Sequence, residues 1–174
     1  MSTLDGTWKS DPVHSALYFS VRHSVIATFR GVIDDFAATL TPDGDTFVLE
    51  GVAKIPSITS TDDNLTGHLQ SPDFFDLERY PEATLRSTSV TQDGDNVTIV
   101  ADLTLRGVTN AITFTGTLRG PVDGAFGGSK LGVDVVGIID RTAFGMVWNA
   151  PMPGGGFLLS DDVKLTIELE MDKA

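Results

Sequence analysis

The side chains best suited to proton transfer at neutral pH are three histidines, His14, His23 and His68. Three imidazoles can in principle bind a metal ion. None of them forms a short-spaced ligand pair on a helix, and no HExxH motif occurs. His14 and His23 are an odd number of residues apart, so on one continuous strand they point to opposite faces. Ser15 and Ser24 each follow a histidine, but adjacency in sequence is not the spatial geometry of a nucleophilic triad. Gly127-Gly-Ser-Lys-Leu131 only approaches a nucleophile elbow. Gly154-Gly-Gly156 runs into Phe157 and Leu158 without the third glycine of a dinucleotide loop, and no P-loop is present. The chain has no cysteine, which removes disulfides, thiolate metal sites and cysteine nucleophiles. Local sequence therefore predicts no catalytic centre, no metal and no cofactor.

The bulk properties narrow the partners. A chain of 174 residues is expected to form a single domain, residues 1–174, with a proper core. Acidic residues outnumber basic ones 24 to 12, a net charge of −12. That balance excludes a nucleic-acid backbone as partner and disfavours anionic lipid surfaces. The opening MSTLDGTWKSDP has no apolar core of a signal peptide. No segment approaches the ~20 apolar residues of a membrane helix. The expectation is a cytoplasmic protein with no stable membrane insertion.

The elements that must position any site are mostly strands. Val97, Ile99, Ala101, Leu103 and Leu105 share one face of a period-2 pattern. Ile112, Phe114 and Leu118 form a second such face, Val163 to Met171 a third, and Ser15, Leu17, Phe19 and Val21 a fourth. Asp43-Gly44 and Asp93-Gly94 mark hairpins, because glycine accepts positive φ at no steric cost. Val108-Thr-Asn110 and Pro121-Val-Asp-Gly124 mark further turns. Strands joined by hairpins point to an antiparallel meander or barrel. One segment breaks the pattern: HLQSPDFFDLERYP, His68 to Pro81, sets two adjacent phenylalanines in an acidic, proline-bracketed context. Ser71 suits a helix N-cap, Pro72 the first helical position and Asp73 the first turn, so a short helix is expected over Pro72 to Glu78. On a helix, Phe74 and Phe75 can both face inward.

Several apolar faces carry small residues: Ala37, Ala38, Gly51, Ala53, Ser87, Ser89 and Gly137. Small inward residues leave volume, and a barrel of about eight strands has an interior that side chains fill or leave open for one ligand. The uncharged Pro151-Met-Pro-Gly-Gly-Gly156 reads either as a plain surface loop or as a flap beside a ligand entrance.

Trp8, Asp11-Pro-Val-His-Ser15, Phe19-Ser-Val-Arg-His23, Asp73-Phe-Phe-Asp76 and Arg141-Thr-Ala-Phe-Gly145, in that order and spacing, resemble the YceI-like, lipid/polyisoprenoid-binding family, and the likeness covers nearly the whole chain. The resemblance runs from Trp8 and Asp11-Pro-Val-His-Ser15 through Phe19-Ser-Val-Arg-His23, Phe29-Arg-Gly31 and Ser57-Ile-Thr-Ser60. It continues in His68-Leu69, Asp73-Phe-Phe-Asp76 and Tyr80-Pro81. It ends with Leu103-Thr-Leu-Arg-Gly-Val-Thr109, Arg141-Thr-Ala-Phe-Gly145, Trp148 and Asp161-Asp-Val163. The resemblance implies an all-β, extended lipocalin-like antiparallel β-barrel of about eight strands with one or two short helices. It implies a homodimer that holds a long-chain polyisoprenoid or related amphiphilic lipid, such as a polyprenyl phosphate or isoprenoid quinone. Carriage, storage or sequestration follows from that, in a protein that is not an enzyme. The chain departs from the family at Leu65-Thr66, where Arg-Asp is usual, and at Ala143, where an acidic residue is usual.

On this reading the tail lies against Phe19, Phe36, Phe74, Phe75, Leu77, Phe114, Phe144 and Trp148. The head meets a polar mouth drawn from His14, Arg22, His23, Arg30 and His68. Two alternatives remain: an enzyme acting on an isoprenoid quinone with a histidine as acid or base, and a stress-related structural protein whose barrel is packed shut.

Overall fold

Each long strand pairs with its neighbours in sequence, and the last returns to the first. The computed structural model describes residues 4–174. Its strands are β1 (Trp8–Ser10), β2 (Ala16–His23), β3 (Ala27–Ile33), β4 (Phe36–Asp43), β5 (Thr46–Lys54), β6 (Ile58–Thr59), β7 (Glu82–Asp93), β8 (Asn96–Leu105), β9 (Val108–Asp123), β10 (Ser129–Asp140) and β11 (Leu159–Lys173). All pairings are antiparallel, and β1 closes the ring by pairing with both β4 and β11.

Three strands are broken staves of the same barrel. β2 continues β1 beyond Asp11–Ser15, β4 continues β3 beyond Asp34–Asp35, and β6 continues β5 beyond a 3-10 turn at Ile55–Ser57. β2 pairs with β11 and β3, and β3 pairs with β6. Counting each broken stave once gives a closed barrel of eight antiparallel strands in sequence order. Closure leaves few backbone edges unpaired.

Alternation places the core as the pattern requires. Val97, Ile99, Ala101, Leu103 and Leu105 are all buried, as are Phe114, Leu118, Val163, Leu169 and Met171. Gly44 and Gly94 adopt φ of 60° and 58° in the two expected hairpins. Two turns fall elsewhere than expected. The β8–β9 turn is Arg106–Gly107, both left-handed at φ 52° and 72°, and β9 runs on through Pro121 to Asp123.

The helix also lies elsewhere. Helix α1 spans Asp63–Gln70, one segment upstream of the expected Pro72–Glu78. Its N-cap is Asp62, whose carboxylate accepts from the Leu65 amide at 2.9 Å. Ser71, expected to begin a helix, ends this one: its amide and hydroxyl both donate to the His68 carbonyl, at 3.1 and 2.7 Å. Residues 71–80 then run as successive turns, and Asp76 at φ 51° cannot continue a right-handed helix. Phe74 and Phe75 are nevertheless both buried, brought inward by turns tied to α1 through Phe75 N to Leu69 O at 2.9 Å.

Because the barrel is a meander, its two ends are distinct. The β2–β3 tip, α1 with the 71–81 turns, the β8–β9 turn and the 141–158 connection share one end. The β4–β5, β7–β8 and β9–β10 turns share the other, with the start of β1 and the end of β11.

Candidate functional site: an apolar cavity in the barrel

The barrel encloses an apolar cavity of about 520 Å³. Its origin is a patch of small inward residues on three adjacent strands. Ala38 on β4 faces Gly51 on β5, and Ala53 on β5 faces Ala83 on β7. All four line the cavity. A Cβ added at Gly51 would meet only the Ala37 carbonyl, at 3.6 Å.

Elsewhere, inward glycines are covered by rings. Phe114 pairs across strands with Gly137 and lies so close that a Cβ there would sit 2.8 Å from the ring. Phe19 pairs with Gly31 and covers it in the same way, its ring 2.3 Å from a would-be Cβ. An aromatic over a cross-strand glycine restores the packing that the glycine lacks. Thus the β9–β10 wall is filled at Gly137, and the β4–β5–β7 wall is hollow.

Phe19, Phe36, Phe74, Phe75 and Trp148 line the cavity, as do His23 and His68. Phe114 and Phe144 are buried in the core but outside the cavity wall. Leu77 packs against the core without lining the cavity. His14, Arg22 and Arg30 also lie outside it. Arg22 donates to Thr28, and the Arg30 guanidinium lies over the Tyr18 ring, 4.9 Å from its centre. His14 sits on a separate surface pocket beside β9, β10 and β11.

Three aromatic groups meet at the α1 end of the cavity. The His68 ring centre lies 4.9 Å from Phe74 and 4.7 Å from Trp148, both edge-on, and Phe74 lies 5.6 Å from Trp148. Phe75 reaches Phe19 at 5.6 Å. His68 Nε2 lies 2.9 Å from Asp73 Oδ2. An ionised carboxylate only accepts, so Nε2 carries the proton and neutral His68 keeps Nδ1 as an acceptor. Among the described residues Nδ1 makes no hydrogen bond.

Arg141 is a wall residue that the sequence pattern does not flag as one. It is buried, and its guanidinium donates to the carbonyls of Met146 at 2.6 Å, Trp148 at 2.9 Å and Ser160 at 2.9 Å, and to Asp161 at 3.2 Å. A buried cation needs such partners. Its work is to hold the Met146–Trp148 stretch over the cavity. In sequence Arg141 stands out only as the first residue of the Arg141-Thr-Ala-Phe-Gly145 motif, which gives it no place in the wall. Leu65, at one of the departures from the family pattern, also lines the cavity, and Thr66 instead bonds the Ser60 amide at 3.0 Å.

One group of metal-type ligands occurs among the described residues: Asp11, His14 and Glu170, with ligand atoms within 4.8 Å of one another. The ammonium of Lys130 lies 3.0 Å from Glu170, 2.7 Å from Asp172 and 3.8 Å from Asp11, so a cation is already supplied there. The Asp11 hydrogen bond, reinforced by Glu170, holds His14 above the ordinary imidazole pKa. The reciprocal bond from His14 lowers Asp11. Hydrogen bonds to Asp172 and Glu170 push Lys130 up. This cluster ties the β1–β2 break to β10 and β11, away from the cavity.

Fold and cavity together define a lipocalin-like barrel with an apolar interior. The chain belongs to the family of YceI-like domains, whose model matches residues 8–171. It is 32% identical over 167 residues to the UPF0312 protein SAB2563 of Staphylococcus aureus, covering 92% of this chain and 94% of the relative. Among solved structures, Burkholderia cenocepacia BcnA superposes with a TM-score of 0.77 at 20% identity, over 92% of this chain and 98% of that one. The Campylobacter jejuni YceI protein gives 0.72 at 25% identity, over 88% and 90%. A polyisoprenoid binding domain from Saccharophagus degradans, described as implicated in plant cell wall breakdown, gives 0.72 at 15% identity, over 98% and 100%.

Proposed function

We propose that this protein binds a polyisoprenoid or related long-chain amphiphilic lipid in the barrel, as a carrier, store or sequestering protein rather than as an enzyme. The observation that carries this reading is the hollow β4–β5–β7 wall, which turns an ordinary barrel core into an apolar chamber. A packed-barrel structural role would need no such volume. About 300–1,000 Å³ is usual for small-molecule sites, and 520 Å³ falls within that range.

At about 30 Å³ per non-hydrogen atom, a water's share of liquid, the 520 Å³ cavity holds roughly 17 atoms, or about three isoprene units. Each unit contributes on the order of 4 kcal/mol at about 0.8 kcal/mol per buried CH₂. Three units give about 12 kcal/mol, against about 4–15 kcal/mol lost in association and ordering. The tail therefore supplies most of the affinity, and a few polar contacts decide between tight and negligible binding. His68 and His23 are the polar residues assigned to the head, and Phe19, Phe36, Phe74, Phe75 and Trp148 those assigned to the tail. His68 Nδ1 accepts from a hydroxyl when neutral and donates to a phosphate or quinone oxygen when protonated.

The test is mass spectrometry of an organic extract of the protein purified from its native host, with calorimetry of farnesol added to the delipidated protein. A stoichiometric isoprenoid lipid and saturable farnesol uptake are expected. An extract without isoprenoid lipid, together with no uptake of farnesol, would refute the reading. The homodimer and the cytoplasmic location belong to the same proposal; sedimentation velocity and cell fractionation check them. No helix among the described residues is long and apolar enough to cross a membrane.

A further inference from the structure

The mouth of the cavity has one side without charge, and that side carries exposed apolar groups. Val25 and Ile26, at the β2–β3 tip, are 67% and 85% exposed. Val147 and Phe157, in the connection before β11, are 69% and 62% exposed. The two segments are joined: the Ser24 amide donates to the Leu158 carbonyl at 2.7 Å. Phe157 bridges to Pro151, and Leu158 N donates to Ala150 O at 2.9 Å. The same segments line the cavity through His23, Ala27, Met146, Trp148 and Leu158. The exposed groups thus stand on the rim of the chamber.

Charge is distributed to match. No residue from Thr142 to Ser160, or from Ser24 to Phe29, is acidic or basic, in a chain of net charge −12. Of the acidic groups at this end, Asp62, Asp63, Asp73, Asp76 and Glu78 belong to α1 and the turns after it, and Asp140, Asp161 and Asp162 stand at the ends of β10 and β11 where the uncharged loop begins and ends, Asp161 paired with Arg141. Arg22 and Arg30 are the flanking cations on β2 and β3. The backbone at the tip is also unusual. Val25 has φ 66° and Ser24 φ 51°, and the left-handed region is costly for a β-branched residue. Strain spent on presenting an apolar side chain to water needs a reason.

We infer that this uncharged rim is a reversible docking surface for a lipid bilayer, through which the chamber exchanges its ligand. The inference rests on the lipid-binding reading above. A lipid that enters an apolar chamber from a membrane avoids water only if the rim meets the bilayer. A side without carboxylates enters the interface without desolvating charge. The net negative charge of the rest of the molecule opposes anionic surfaces, so the matching surface is zwitterionic. Binding to it is insensitive to salt, because no ion pair is made.

The experiment uses the full chain and phosphatidylcholine vesicles in a flotation assay, with calorimetry of farnesol in parallel. A double variant, Ile26→Asp with Phe157→Asp, changes two side chains that do not line the cavity. Wild type is expected to float with the vesicles at low and high salt. The double variant should lose that binding at least tenfold while taking up farnesol as wild type does. Phe157→Trp should keep vesicle binding and show a blue-shifted emission on docking, which separates a surface effect from a folding defect. Wild type that takes up farnesol but does not float overturns the inference and leaves the lipid-binding reading intact. A double variant that floats as well as wild type overturns it too. A rim mutation that dissolves a dimer without any vesicle binding reassigns the rim to self-association. Failure of farnesol uptake in wild type overturns the underlying reading, and the docking surface with it.

Discussion

Gly51 offers a test in which stability and binding move in opposite directions. It sits inward on β5 with no positive φ, and a Cβ there meets only one carbonyl, at 3.6 Å. Glycine within a strand costs about 0.5–1 kcal/mol relative to alanine, so Gly51→Ile removes that penalty. It also places four carbon atoms in the empty chamber. In delipidated protein the melting temperature should rise by a few degrees, since 1 kcal/mol corresponds to about 2–4 °C at this size. The same four atoms displace tail atoms worth about 0.8 kcal/mol each, or about 3 kcal/mol. Farnesol should then bind about 100-fold more weakly, at 1.4 kcal/mol per factor of ten. Gly137→Ala is the control on the filled wall. Its Cβ would lie 2.8 Å from the Phe114 ring and 3.2 Å from the Thr113 carbonyl, and overpacking costs about 1–3 kcal/mol. Calorimetry reads the binding and thermal unfolding the stability. A Gly51→Ile protein that melts higher yet binds farnesol as tightly as wild type would refute the location of the site. One that melts as low as Gly137→Ala would refute the hollow wall itself.

Three further outcomes follow from particular groups. His68→Leu should weaken farnesyl phosphate about tenfold, the worth of one charged hydrogen bond at about 1.5 kcal/mol, and leave the hydrocarbon farnesene unchanged; equal loss for both would assign His68 to packing. Arg141→Leu orphans the carbonyls of Met146, Trp148 and Ser160 and should destabilise by at least about 1–3 kcal/mol, the cost of one buried acceptor left without a partner; a melting temperature within a degree of wild type would count against that role. The His14 pKa is raised in the folded state by Asp11 and Glu170, with Lys130 opposing. A raised pKa adds stability that is complete below the unfolded value of about 6.5 and disappears as pH climbs through the folded value. His14→Asn should therefore destabilise more at pH 5.5 to 6 than at pH 9, and a pH-independent difference would remove the Asp11–His14 bond from the account.

The strands could be read from residues alone because period-2 burial is a local signal. Val97 to Leu105 alternate inward and outward whatever their partners are, and Asp-Gly at residues 43–44 and 93–94 needs only its own φ. The inward pair Phe74 and Phe75 was also legible, as was the presence of a short helix near them. Its position was not. Asp62 and Ser71 are both competent caps, and the choice between them came from Asp76 at φ 51° and from docking of the turn onto Leu69. Ligand-facing and core-facing phenylalanines also look alike in sequence. Phe114 and Phe19 each cover a cross-strand glycine, yet only Phe19 borders the chamber.

The sequence by itself determined antiparallel strands, the Asp43-Gly44 and Asp93-Gly94 hairpins and a set of apolar faces, because side-chain alternation and turn chemistry act within a few residues, while the family, and with it the barrel, came from the ordered motifs between Trp8 and Val163. Only the tertiary structure decided where the barrel is hollow and where its rim is bare of charge. Those properties arise when Ala38, Gly51, Ala53 and Ala83 come into register across three strands, and when Ser24 at the β2–β3 tip is bonded to Leu158 in the loop before β11. Both depend on pairing between residues distant in the chain: the small residues and the uncharged segments are visible locally, and their meeting is not.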